Sequence, residues 1–409
     1  MKCRHCGVEL KQCLVDLGAA PPSNAYLTEA SLHAPEKWFP LRVLVCSHCW
    51  LVQTEDYVGA EELFSADYAY FSSYSSTWLK HAEEYVDAVV PRFNLGSDSL
   101  VVEVAANDGY LLQYVQARGI PCLGVEPTAD TAAAARVKGV EIVEDFFGVR
   151  LARDLVSHGK QADLTVVNNV LAHVPDINDF VSGFARLLKP AGVGTFEFPH
   201  LLRLVQECQF DTIYHEHYSY LSLTAVNGIF EANGLSVFDV EELPTHCGSL
   251  RVFVQRLDAG QWPITPRVTE LLAREKSAGV RTIAFYEGFQ DRVNCIKLDL
   301  LAFLVEAKRS RIKVAAYGAA AKGNTLLNYA GVRPDLLPYV VDRNPAKQRK
   351  YLPGSRIPIV DEEYLRRDRP DRVVILPWNL REEVVEQLAY IGDWGGKFVL
   401  PIPTLAILN

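Results

Sequence analysis

Cys3-x-x-Cys6 and Cys46-x-x-Cys49, separated by 39 residues, bring four thiols to one small region. Four thiolates are the ligand set of a closed tetrahedral zinc site, with Zn–S bonds of about 2.3 Å. A redox dithiol would open a helix after a strand, and that context is missing here. With all four positions taken by sulfur, no site is open to substrate, so the metal reads as a structural staple. His5 and His48, inside the two pairs, are alternate ligands. Cys13, Cys122, Cys208, Cys247 and Cys295 stand singly and read as small core residues. The odd total of nine, without a secretion signal, argues against a disulfide framework.

A second constellation could move protons. Phe210 to Tyr220 packs His215, His217, Asp211, Glu216, Tyr214, Tyr218 and Tyr220 into 11 residues. A histidine near its ordinary pKa accepts a proton at neutral pH, and an adjacent carboxylate can orient it. His173, in Asn168-Asn169-Val170-Leu171-Ala172-His173, sits just past an expected strand, at the edge where ligands bind. His246 lies in Pro244-Thr245-His246-Cys247-Gly248-Ser249-Leu250-Arg251. A solitary histidine is usually structural, but three such sites beside a cofactor fold point to at least one catalytic group. Copper or iron binding by the same histidines is the alternative.

Two further stretches could hold a nucleotide. Val101-Val102-Glu103-Val104-Ala105-Ala106-Asn107-Asp108-Gly109-Tyr110 is a strand, a small-residue turn and a helix start. It is not G-x-G-x-x-G, so a pyrophosphate grip is doubtful. Glu126, 23 residues after Glu103, ends the next strand where a carboxylate meets ribose hydroxyls. Asp145 and Phe146 follow where an adenine ring would lie. Adenosine without a pyrophosphate cradle fits S-adenosylmethionine (SAM) better than NAD; a dinucleotide enzyme or a degenerate fold stays open. Ala316-Tyr317-Gly318-Ala319-Ala320-Ala321-Lys322-Gly323-Asn324-Thr325 repeats the strand–turn–helix form, with Lys322 in the first helical turn and Asp342 ending the next strand. N–H donors beside a cation suit a phosphate, and G-x-x-x-x-G-K-[ST] is not matched. The alternative is a vestigial fold with a solvated lysine.

Positioning these groups requires three units. At roughly 150 residues per domain, 409 residues predict between two and three. Residues 1–70 read as a small β-rich module that could bury little core unaided. Residues 71–265 begin with a helix over Tyr74–Val90, closed by Pro91, and continue as a βαβ series with strands at Leu100–Val104, Cys122–Val125, Leu164–Val167 and Val193–Phe198. Residues 266–409 open with long helical periodicity over 268–310 and then a second βαβ series. The class is α/β, with two Rossmann-like units behind the cysteine module. A net charge of −9 excludes a nucleic-acid partner. No apolar run approaches the ~20 residues of a membrane span and no signal-peptide core is present, so a soluble cytoplasmic protein is expected. Nothing in the chain signals an oligomeric state.

The order of four cysteines, E-x-x-x-N-D-G, Tyr-x-Glu-His, His-x-Gly-Ser-Leu-Arg and Tyr-Gly-Ala-x-x-Lys-Gly resembles, over essentially the full chain, the SAM-dependent C-methyltransferases of nucleotide-linked ketodeoxysugars. The resemblance implies an N-terminal zinc module, a central SAM domain and a C-terminal Rossmann-like domain around a dTDP-linked 4-ketohexose, methylated beside the ketone, usually at C-3. Carried onto this chain, it implies a base at His217 with Glu216 and Tyr214 beside it, a second histidine at His173, and a tyrosine at Tyr70. Cofactor contacts fall on Glu103, Ala105, Asn107, Gly109, Glu126, Asp145, Phe146 and Asn168. Substrate contacts fall on His246, Arg251, Tyr317, Lys322, Asn324 and Asp342. Lys322 and Arg251 are then the cations that offset the acidic chain for an anionic substrate. Ala105 replaces a common glycine and is tolerable if its φ is negative; His215 and Cys247 also depart from the usual residues. A nucleotide-sugar O-methyltransferase and an NAD-dependent dehydrogenase or epimerase are the rival activities.

Overall fold

The computed structural model describes residues 1–57, 59 and 71–408. Tyr70 lies outside the described residues.

The first unit is an antiparallel meander of β1 (Gln12–Ala20), β2 (Phe39–Val45) and β3 (Val52–Thr54). Alternation in these strands buries Val15, Val43, Val45 and Val52. They join an apolar cluster that also holds Phe210, Leu326 and Val374 from the rest of the chain. The small module thus gains its core by packing against its neighbours.

The central unit starts with the helix Ser76–Arg92, whose N-cap Ser75 accepts from Trp78 N. Tyr85, Val86 and Val89 form its buried stripe. The helix runs through Pro91 rather than closing there: the proline removes one hydrogen bond to the preceding turn, and the helix ends one residue later at Arg92. Parallel strands β4 (Val101–Val104), β5 (Cys122–Val125), β6 (Ile142–Val143), β7 (Ala162–Asn168) and β8 (Leu188–Pro199) follow. A two-residue strand, β9 (Ser219–Tyr220), leaves this unit and pairs with β3 of the cysteine module. β10 (Leu235–Leu243) and β11 (Ser249–Arg256) complete a seven-stranded sheet of order β10-β11-β8-β7-β4-β5-β6, with β11 antiparallel to both neighbours. Strand order reverses between β4 and β7, so the ligand crevice opens at their carboxyl ends.

The helical run expected over 268–310 is two helices, Pro266–Ala278 and Phe289–Arg309. They are broken at Gly279 (φ +92°) and Gly288 (φ +72°), a left-handed conformation that glycine adopts without steric cost. A six-stranded sheet of order β14-β13-β12-β15-β16-β17 closes the chain, built from β12 (Val314–Tyr317), β13 (Val340–Val341), β14 (Ile359–Val360), β15 (Arg372–Ile375), β16 (Lys397–Leu400) and an antiparallel edge, β17 (Ala406–Leu408). Among the described residues, no helix is long and apolar enough to cross a membrane.

Candidate active site

The cysteine pairs form two matching knuckles. Gly7 N donates to Cys3 O and Trp50 N to Cys46 O, both at 3.0 Å. The residue after each pair takes positive φ, Gly7 at +74° and Trp50 at +62°. The Sγ atoms of Cys3 and Cys49, and of Cys6 and Cys46, lie 3.5 Å apart, and all four are within 4.8 Å of one another. A tetrahedron of 2.3 Å bonds has edges of about 3.8 Å, so the donor set fits zinc. Gln53 Nε2–H points at Cys3 Sγ (3.2 Å), an outer hydrogen bond of the kind that orients a ligand. His5 is drawn away, its Nδ1 2.8 Å from Asn178 Oδ1, and His48 is exposed.

At the crevice, the β4 exit turns through three left-handed residues: Ala105 (φ +57°), Asn107 (+50°) and Gly109 (+74°). The sequence expectation of negative φ at Ala105 fails: Ala106 N must reach Val125 O (3.1 Å) to seat the loop on β5. Alanine in this region costs roughly 1–2 kcal/mol. Ala105→Gly is therefore expected to raise unfolding free energy by about 0.5–1 kcal/mol after its larger unfolded-state entropy is counted, read by urea denaturation. Glu126 accepts Asn107 N–H and Thr128 N–H, each at 2.9 Å, and each oxygen keeps a second lone pair for a ribose hydroxyl. Asn168 Nδ2 donates to the Tyr110 hydroxyl (3.3 Å). Glu103 is buried beneath the loop, where desolvation pushes its carboxyl well above the usual range. Glu103 Oε2, Asn168 Oδ1 and Asn169 Oδ1 are buried without hydrogen bonds. Such orphaned acceptors at a strand-end crevice fit a ligand carrying an ammonium and hydroxyls, as SAM does. Asp145 and Phe146 follow β6 at the same rim; Asp145 pairs with Arg150 (2.5 Å) and Phe146 is exposed.

Beside this crevice the histidines meet. His173 occupies the 3-10 turn that follows β7, and its ring packs edge-on to His217 at 4.6 Å. Tyr214 lies over His217 at 4.0 Å. His217 Nδ1 is 2.8 Å from Thr212 O, and because a carbonyl only accepts, Nδ1 carries the proton and Nε2 the lone pair. Burial first, then the neighbouring His173 and His246 rings, which resist a second positive charge, and the Lys322 ammonium hold His217 well below the ordinary histidine range. Burial likewise holds His173 and His246 at about 4. All three rings are neutral at pH 7.

Glu216 does not assist His217, contrary to the expectation from adjacency. Successive residues in this turn point apart: Glu216 Oε1 accepts from Asn24 Nδ2 (3.1 Å), and desolvation pushes its carboxyl up. The orienting partner is instead a peptide carbonyl, which residue types alone do not reveal. His215 also turns away, its Nε2–H aimed at Phe39 O and Pro40 O (3.3 and 3.2 Å).

The substrate candidates divide. His246 (φ +54°) and Cys247 (+64°) are left-handed like Gly248 (+115°), and the His246 ring meets Trp78 edge-on at 5.8 Å. Lys322 donates to Asn379 Oδ1 (3.3 Å) and lies 5.5 Å over Trp378, with its charge acting on His217 and His246. Arg251 is not a free cation: it is buried against Glu197 (2.9 Å) and stacks on Tyr85. Glu197 also receives His81 (2.8 Å) and Thr245 (3.0 Å), a network the sequence reading missed although an acid in the apolar run Val193–Phe198 was its signal. Asn324 is fully buried and binds Ser23 O (3.2 Å), which seats the cysteine module. Tyr317 donates to Gln387, and Asp342 accepts Ala319 N–H and Asn344 N–H (each 2.8 Å), so both are engaged within their own sheet. The crevice thus gathers His217, His173, Tyr214, His246 and Lys322, and leaves Arg251, Tyr317, Asn324 and Asp342 in other contacts.

A Rossmann-like sheet with an antiparallel strand beside its parallel set, a four-cysteine module and neutral histidines at the sheet's crevice are the architecture of a methyltransferase with a metal-binding module. Comparison with known proteins agrees. Residues 3–64 match a "zinc binding domain" family, residues 78–240 a "Methyltransferase domain", and residues 244–403 a "C-methyltransferase C-terminal domain". The chain is 33% identical over 408 residues to C-methyltransferase NovU of Streptomyces niveus, covering 100% of this chain and 97% of that protein. The chain belongs to the sugar C-methyltransferase family, and it is a SAM-dependent C-methyltransferase with a zinc-binding module. Solved structures with similar folds include magnesium protoporphyrin IX methyltransferase of Synechocystis PCC 6803 with bound SAH (16% identity, TM-score 0.35, 44% of this chain and 83% of that one). A SAM dependent methyltransferase from Archaeoglobus fulgidus is another (13%, 0.37, 44% and 94%).

Proposed function

We propose that the protein methylates the carbon beside the ketone, C-3, of a dTDP-linked 4-keto-deoxyhexose, in the cytoplasm. The observation that carries this reading is the buried His217, its Nε2 lone pair free of the Thr212 hydrogen bond and flanked by His173 and Tyr214. A carbon beside a ketone is acidic because the resulting charge spreads onto oxygen. His217 Nε2 takes that proton. Tyr214 hydrogen-bonds the developing enolate oxygen, the larger electrostatic contribution, while His173, whose ring N–H donates to the Glu216 carbonyl, packs edge-on against His217 and fixes its place. Glu126, Asn168 and Glu103 would hold SAM, which supplies an electrophilic methyl group when bound. His246 and Lys322 face the sugar from the C-terminal side.

The test is product NMR after incubation with methyl-13C SAM and the ketosugar. A methyl resonance coupled to a quaternary ring carbon is expected. An O-methyl resonance, or no transfer to any dTDP-4-ketosugar, would reject the assignment.

A further inference from the structure

Trp378 and Thr325 come from the C-terminal sheet's own crevice, the place where a Rossmann fold ordinarily holds its ligand. Trp378 follows β15, and Thr325 lies on the helix Ala321–Ala330 that follows β12. Gly318 (φ +93°) makes the arrangement fit: a Cβ there would stand 2.4 Å from Pro377 Cδ, so only glycine lets the β15 exit cross the β12 loop and bring Trp378 inward. Trp378 Nε1–H donates to Asp211 Oδ2 (2.7 Å), and the Thr325 hydroxyl donates to Ile213 O (2.8 Å). Asp211, Ile213 and Thr325 are all 2% exposed or less, and Trp378 is 8% exposed. The two bonds grip the residues on either side of Thr212, whose carbonyl receives His217 Nδ1–H. The Trp378 ring also lies beneath Lys322 Nζ (5.5 Å).

We propose that Trp378 and Thr325 are positioning residues for the base: by clamping Asp211 and Ile213 they aim the Thr212 carbonyl and so set the tautomer of His217. The C-terminal unit thereby acts on the chemical step as well as on substrate. This rests on His217 being the base. The clamp itself is a property of the substrate-free enzyme and is readable without any ketosugar.

The experiment uses full-length W378F and T325V, which remove one donor each and keep ring or branched shape. Histidine-labelled protein is read by long-range 15N NMR, with the His217 signals identified by their loss in His217→Asn. Wild type is expected to show His217 protonated at Nδ1. Each variant is expected to gain Nε2–H tautomer and lose about 10- to 100-fold in kcat, with KM for SAM within about twofold. If W378F fails to fold, near-isosteric T325V alone decides. A folded variant that keeps the Nδ1–H tautomer overturns the proposal, whether or not its kcat falls. A tautomer shift in a protein that methylates no ketosugar would uphold the clamp and reject the substrate reading instead.

Discussion

His217→Asn is expected to abolish both methyl transfer and deuterium exchange at the substrate carbon. Asparagine can still donate to Thr212 O from its amide, so the turn is kept, but it offers no basic lone pair where Nε2 stood. A positioned base contributes about 10²–10⁴-fold, and the variant should lose at least that. Exchange is the sharper readout, because it reports proton removal without requiring methyl transfer; exchange retained at the wild-type rate would reject His217 as base. The pH profile supplies an independent check. Burial and the neighbouring His173, Lys322 and His246 disfavour the imidazolium, so the base is already unprotonated at neutral pH. Activity should be flat across neutral pH, with its acid limb well below the usual 6.5. A limb at or above 6.5 would contradict the buried, cation-flanked ring.

Zinc removal is expected to have the next largest effect, although the metal has no part in the chemistry. Metal analysis should find about one zinc per chain, and a fully folded, metal-free protein would sink the assignment. The reason lies in what the module holds. Its β3 pairs with β9, Thr54 Oγ1 donates to His217 O (3.0 Å), and Thr54 N donates to Tyr218 O (3.1 Å). The segment carrying His217 is therefore stitched to the strand that leaves the second knuckle. Structural zinc supplies apparent folding free energies of about 10–16 kcal/mol in small peptides. Even a fraction of that, about 3 kcal/mol or more lost in Cys46→Ser, should lower the melting temperature measurably and take activity with it. Full activity in the chelated enzyme would show that β3 stays in place without the metal.

The elements of the central sheet were readable in advance because their signal is local. Cys122–Val125 is a strand with the bounds that its apolar run implies, and the strands expected at Leu100–Val104, Leu164–Val167 and Val193–Phe198 differ only at their ends, whereas the two-residue edge strand β6 is too short to leave a periodic signal. Departures arise where one residue's conformation serves a distant contact. Ala105 is left-handed because its loop must meet β5, and the 268–310 run breaks at two glycines whose positive φ composition does not announce.

Among the site residues, the four cysteines, His217, His173 and Tyr214 come together as their types and spacing imply, because a closed metal set and a proton-accepting ring are defined by side-chain chemistry. Which partner each polar group takes is another matter. Glu216 reaches Asn24 instead of its neighbour, Arg251 is spent on Glu197, and Asp211 binds Trp378 across 167 residues. The sequence by itself determined the four-cysteine set, the strand and helix periodicities and the histidine proposed as the base. Tertiary structure decided the hydrogen-bond partners, hence the tautomer of His217 and the engagement of each charge. Periodicity and residue chemistry are local and survive in one dimension; a hydrogen bond is made or lost within a few tenths of an ångström, between groups that only the packed chain brings together.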